Sequence, residues 1–95
     1  MNTLINVQPT RIIQRDDAAI FYYGVDPSNI STLPGNSTFD VAYSPTGQWG
    51  WEIVRYQVFD TGNGVFISER RNLESDEIAY LQTLITALKR DSDEK

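Results

Sequence analysis

Thirteen acidic side chains, two tryptophans, and no histidine or cysteine limit the chemistry open to this chain. Without cysteine there is no disulfide, no thiolate nucleophile and no sulfur-ligated zinc. Without histidine the usual proton shuttle near neutral pH is missing, and with it the Ser-His-Asp and Cys-His arrangements. Carboxylates alone could hold a hard cation or work as an acid/base pair of the glycosidase kind. Their spacing favours neither. None falls into the D-x-D-x-D-G pattern of a calcium loop. The ion-like Asp60-Thr61-Gly62-Asn63-Gly64 is accounted for residue by residue as hairpin-turn chemistry. Gly62-Asn63-Gly64 lacks the lysine and following helix of a phosphate loop. A dyad of Glu52 and Glu69 across two strands needs a register that sequence does not supply. The expectation is a protein without catalytic apparatus, metal or cofactor.

Aromatic residues carry the remaining possibilities. In Trp49-Gly50-Trp51 the two indoles stand at i and i+2 of an extended run, about 7 Å apart on one face of a strand. Tryptophan is enriched at binding hot spots, so an exposed pair would anchor a protein or a planar ligand. The competing account is that both rings pack the core, where large apolar side chains usually go. Phe21-Tyr22-Tyr23 offers stacking surfaces for bases, but a net charge of −5 opposes nucleic-acid binding, which needs a cationic face. Arg70-Arg71 could meet an acidic partner or lie solvated beside Glu69 and Glu74. Trp49, Trp51, Tyr22, Tyr23 and Arg55 are therefore the residues from which a partner-binding surface is expected.

These side chains need elements to position them. A 95-residue chain with 40% hydrophobic and 22% charged residues is expected to form one small α+β domain over residues 1–95. Leu4-Ile5-Asn6-Val7 reads as an edge strand or an arm, bounded by Pro9. Arg11 to Arg15 and Ala18 to Tyr23 are strand-like runs on either side of Asp16-Asp17, which suggests a hairpin. Residues 24–38 are rich in Pro, Gly, Asn, Asp and Ser and form a long loop, with Ile30 and Leu33 as its tacks. Phe39, Val41 and Tyr43 alternate with Asp40 and Ala42. Ser44-Pro45-Thr46-Gly47 reads as a type I turn, Gln48 to Phe59 as the strongest strand, and Val65 to Arg70 as its return. Residues 39–70 thus read as a three-stranded antiparallel meander within a strongly curved sheet of about 4–6 strands. Ile78, Leu81, Leu84, Ile85 and Leu88 form the apolar stripe of one C-terminal helix packed on a sheet face, with Ser75 as N-cap and residues 91–95 as a frayed tail.

The strand from Gln48 to Asp60 divides its apolar residues unusually. Trp49, Trp51 and Ile53 make one face apolar at its beginning, and Val54, Tyr56 and Val58 make the other apolar later on. Either the strand bends so that its inner side changes, with Gly50 permitting the bend, or two different covers lie on opposite faces. In the second case the helix would cover Val54, Tyr56 and Val58, and the long loop or a partner would meet Trp49 and Trp51.

Residues 1–4 show no basic segment leading into a long apolar run, and no stretch approaches the ~20 apolar residues that span a bilayer. A cytoplasmic location without membrane contact is expected. The functional expectation is a small acidic protein-binding module (an adaptor, regulator, inhibitor or assembly factor) that docks through an aromatic patch, with homo-oligomerisation through an uncovered sheet face or edge as one form of it. Two alternatives stand beside it. One is a small-ligand pocket in a curved sheet, lined by Trp49, Trp51, Tyr22 and Tyr56. The other is an acidic inhibitor that imitates nucleic acid, of the kind that phages and plasmids encode.

Overall fold

The computed structural model describes residues 4–15, 18–44 and 51–93, with side chains as far as residue 88. Five strands pair antiparallel in sequence order: β1 (Arg11–Gln14), β2 (Ala19–Tyr23), β3 (Thr38–Ser44), β4 (Glu52–Val58) and β5 (Val65–Asn72). A single helix, α1 (Ser75–Asp93), follows. The α+β arrangement, the N-terminal hairpin and the C-terminal meander are those expected from the alternation of apolar residues, and the sheet stays open. Among the described residues no helix is long and apolar enough to cross a membrane.

One face of the sheet belongs to the helix. Ala19, Phe21 and Tyr23 of β2, Ala42 of β3 and Ile53 of β4 are buried there with Leu81 of α1, and Ile78, Leu84 and Ile85 pack around them. Four of the five residues of the expected apolar stripe thus pack here, Leu81 fully buried and the other three in part, while Leu88 is not among them. Leu4 is buried in the same layer, after which the chain turns at Ile5 and Asn6, so the first segment is an arm and not a strand. The opposite face is covered in part by the long connection between β2 and β3. That connection contains a short 3-10 segment, Pro27–Thr32, whose N-cap is Asp26. The Ser28 amide and hydroxyl both bond the Asp26 carboxylate and hold its pKa below the ordinary range. Ile30 and Leu33 pack on Val25, Phe39, Val41 and Val58, the tacking role expected of them.

These two covers explain the divided strand. Trp51 and Ile53 face the helix, whereas Tyr56 and Val58 belong to the opposite cluster under the 3-10 segment. The expectation that the helix lies over Val54, Tyr56 and Val58 is reversed: the helix takes the beginning of β4 and the loop takes its end. Trp49, Gly50 and the turn at Ser44-Pro45-Thr46-Gly47 fall wholly or partly outside the described residues.

The start of the helix also differs from the expectation. Ile78 N–H donates to the Glu74 carbonyl at 3.0 Å, which makes Glu74 the capping residue in place of Ser75. Glu77, three residues on, returns its carboxylate to the Glu74 amide at 3.0 Å. The same carboxylate accepts the Leu4 amide at 2.9 Å and both terminal nitrogens of Arg71 at 2.8 and 2.9 Å. Glu77 is only 2% exposed, and a charge so placed is tolerable because its donors replace water. The helix runs through Asp93.

The Arg71 guanidinium first, then the Glu74 and Leu4 amides, outweigh burial and bring the Glu77 carboxyl from 4.5 down to about 2. A carboxylate depressed in the folded state stabilises above its unfolded pKa, and that stabilisation is lost as pH falls towards the folded one. Urea titrations should therefore show stability declining between about pH 5 and pH 2, with this component absent in Glu77→Gln. Glu77→Ala should cost about 3 kcal/mol at neutral pH, because Arg71 then loses its buried counter-ion.

Candidate functional site

Alternation of side chains distributes the expected partner-binding residues over both faces of the sheet. Trp51 lies half-buried on the helix side, its ring stacked near Phe21 with centroids 6.4 Å apart. Tyr23 is buried in the same layer, beside Tyr80 and Glu77, and its hydroxyl has no hydrogen-bonding partner among the described residues. Desolvation, reinforced by Tyr80 and Glu77, pushes the Tyr23 phenol pKa far up, so it is a neutral core group. Tyr22, its neighbour in sequence, faces the other way into the second cluster. Arg55 engages Asp40 through two bonds of 2.8 and 3.2 Å and is held across the β3–β4 ladder. Trp49 lies outside the described residues. Tyr22 and Tyr23 therefore do not share a surface, and Tyr23 is buried while Trp51 is buried in part.

The residues that sequence reasoning grouped as a ligand pocket divide in the same way. Tyr22 and Tyr56 line a shallow hollow of about 240 Å³ together with Ile30, Phe39, Val41, Tyr43 and Val65, while Trp51 is on the far side of the sheet. Within the hollow, Phe39 and Tyr56 stack at 5.4 Å, and the hydroxyls of Tyr43 and Tyr56 meet at 2.8 Å. Burial, then the hydrogen bond to Tyr56, push the Tyr43 phenol pKa up. The hollow is smaller than the roughly 300–1,000 Å³ typical of small-molecule sites. A carboxylate dyad does not form either: Glu52 lies opposite Asn72 and Glu69 opposite Arg55. Glu52 instead receives Arg70 at 2.8 and 3.0 Å.

Sequence reasoning passed over the strongest surface feature. β5 ends the sheet and pairs on one side only among the described residues. Its residues Val65, Phe66 and Ile67 are 40%, 46% and 50% exposed, and Phe59, at the end of the same hairpin, is 67% exposed. Val65 lies opposite Val58 and Ile67 opposite Tyr56, which places both on the hollow's side, whereas Phe66 lies opposite Gln57 on the other. From Glu69 onward the strand is charged, with Arg70 and Arg71 directed at Glu52 and Glu77. A register shift beside Arg55 separates the apolar half from the charged half, with Ser68 as the extra residue. The other edge is built differently: β1 is four residues long, begins with Arg11 and ends with Gln14. The signal was present in sequence as an apolar triplet after a turn, but such a triplet is equally a core strand until the sheet order is known.

No known protein family, curated protein or solved structure matches the chain.

Replacing Trp51 with alanine should lower unfolding free energy by about 2–3 kcal/mol, read from urea midpoints, because a half-buried ring leaves a void against Phe21. Tyr23→Phe should leave stability unchanged or raise it by up to about 1 kcal/mol, because the hydroxyl removed has no partner among the described residues.

Proposed function

We propose that this chain is a non-enzymatic protein-binding module that receives an extended segment of polypeptide along the outer edge of β5. The single observation that carries this reading is the exposed Val65-Phe66-Ile67 run on an edge open to pairing. Proteins usually protect such an edge with charge, proline, a bulge or a short strand. The charged second half of β5 and the short β1 have these protections, and residues 65–67 do not. An edge left open in one place supplies backbone donors and acceptors that suit another backbone, while alternate side chains provide apolar contacts on both faces.

The shape of the neighbouring surface supports a polypeptide over a small molecule. The hollow beside Val65 is shallow and lined by tyrosines, and it continues the apolar edge inward from Val65 to Tyr56. Side chains of an added strand on this face would lie against that tyrosine layer, and those on the other face would meet Phe66. The docking surface is therefore aromatic and apolar, as a binding role for the chain's aromatic residues implies, but it is built from Phe66, Val65, Ile67 and Tyr56 in place of Trp51 and Tyr23.

A photoreactive benzoylphenylalanine placed at Phe66, compared with one at the exposed Gln82 on the outer side of α1, tests this in host cells. The expected result is a discrete protein adduct from position 66 and none from position 82. Absence of any protein adduct at position 66 would overturn the reading.

A further inference from the structure

The backbone phase of β5 narrows the identity of its occupant. Phe59 N–H donates to the Gly64 carbonyl at 3.1 Å, while Val58 N–H donates the other way, to Ser37, at 2.8 Å. Because hydrogen-bonding groups alternate along an antiparallel strand, Phe66 aims its backbone groups at Gln57, and Val65 and Ile67 aim theirs outward. From this phase we infer that the occupant is the β5 of a second copy of this chain, paired antiparallel about Phe66. The inference rests on the reading of β5 as a docking edge.

Self-pairing of antiparallel strands about a two-fold axis normal to the sheet keeps each side chain on its own face, so a residue must sit opposite itself at the centre. Few centres are available, and they differ in quality. Centres at Glu69 or Arg70 set like charges against each other, which destabilises a strand pair. A centre at Ser68 sets Ile67 against Glu69 and Phe66 against Arg70, and a centre at Ile67 sets Val65 against Glu69. A centre at Phe66 sets the two Phe66 rings together and each Val65 against the other copy's Ile67. The exposed triplet is thus complementary to its own reverse. Its outward groups at Val65 and Ile67 then form about four backbone hydrogen bonds between copies. Pairing ends where the turn at Gly64 and the extra residue Ser68 meet across the axis. The surplus of negative charge does not oppose this register, because no acidic residue of residues 64–68 faces another.

The segment is short, so the expected dimer is weak and reversible. By light scattering the mass should rise from 10.8 kDa towards twice that value as concentration increases from about 10 µM to about 1 mM. Ile67→Lys, at a half-exposed edge position, should restore the monomer mass and leave the thermal midpoint read at about 10 µM, where both proteins are monomers, close to that of the wild type. Because the chain has no cysteine, single substitutions report the register. Phe66→Cys should form an interchain disulfide on oxidation, since non-hydrogen-bonded partners lie about 4.5 Å apart at Cα. Ser68→Cys should not, since its counterpart is displaced by four residues, about 13 Å along the strand. A wild-type mass that stays at 10.8 kDa at about 1 mM overturns the inference, as does Ser68→Cys cross-linking as readily as Phe66→Cys. A monomer whose position-66 photoprobe captures a different protein also overturns self-pairing, yet leaves the docking edge standing.

Discussion

One buried carboxylate joins three parts of the chain, the first of them far from the other two in sequence. Glu77 accepts the amide of Leu4 in the N-terminal arm, the guanidinium of Arg71 at the end of β5, and the amide of Glu74 at the start of the helix. Apolar burial is non-directional and tolerates a helix that slides or rotates. Hydrogen bonds to a buried anion do not, because each donor lost leaves charge unsolvated. The helix stripe therefore supplies the drive for packing on the sheet, and Glu77 sets where along the sheet the helix begins. That placement decides which part of the sheet the helix covers and which it leaves bare.

The bare part follows from two covers of unequal reach. Helix α1 lies over the face that carries Phe21, Ala42 and Ile53, and the 3-10 segment lies over the face that carries Phe39, Val41 and Val58. Neither fully covers the first half of β5, where each residue from Val65 to Ile67 stays 40–50% exposed. The tyrosine-lined hollow lies between the loop and this strand, so the open edge and the open face form one continuous apolar surface. No acidic residue interrupts the run from Val65 to Ile67, and acids nearby such as Asp40 and Glu52 are paired with Arg55 and Arg70.

The strands and the helix could be read from residue patterns because each has a local cause. Alternation in Phe39–Tyr43 and the 3.6-residue stripe of Ile78, Leu81 and Ile85 state their own periodicity. The division of apolar residues along β4 was visible too, and it does record two covers. Which cover took which half was not visible, since that depends on where the helix starts, and Glu77 sets this through partners up to 73 residues away. The site was less legible for the same reason. Trp51 and Tyr23 attract attention by residue type, yet the strand order places them under the helix. Val65-Phe66-Ile67 resembles any core strand until β5 proves to be the last in the sheet.

The extra residue at Ser68 bears on how the hairpin finds its alignment. If Ser68 were drawn into line opposite Arg55, every later residue would slip by one, and Arg70 would take the place facing Ile53 that Arg71 now occupies. Arg71 would then lie across from Glu52. Two consecutive arginines thus make the slipped and native alignments nearly degenerate in their ion pairs, and a mis-set hairpin would still find both counter-ions. Beyond the loss of Glu69 from its place opposite Arg55, ion pairing does not choose between them. The choice falls to Leu73, which is 7% exposed and whose amide is bonded to the Trp51 carbonyl at 3.0 Å; a slip would pull it out of its socket. Proofreading of the strand alignment is therefore done by an aliphatic side chain one residue beyond the sheet.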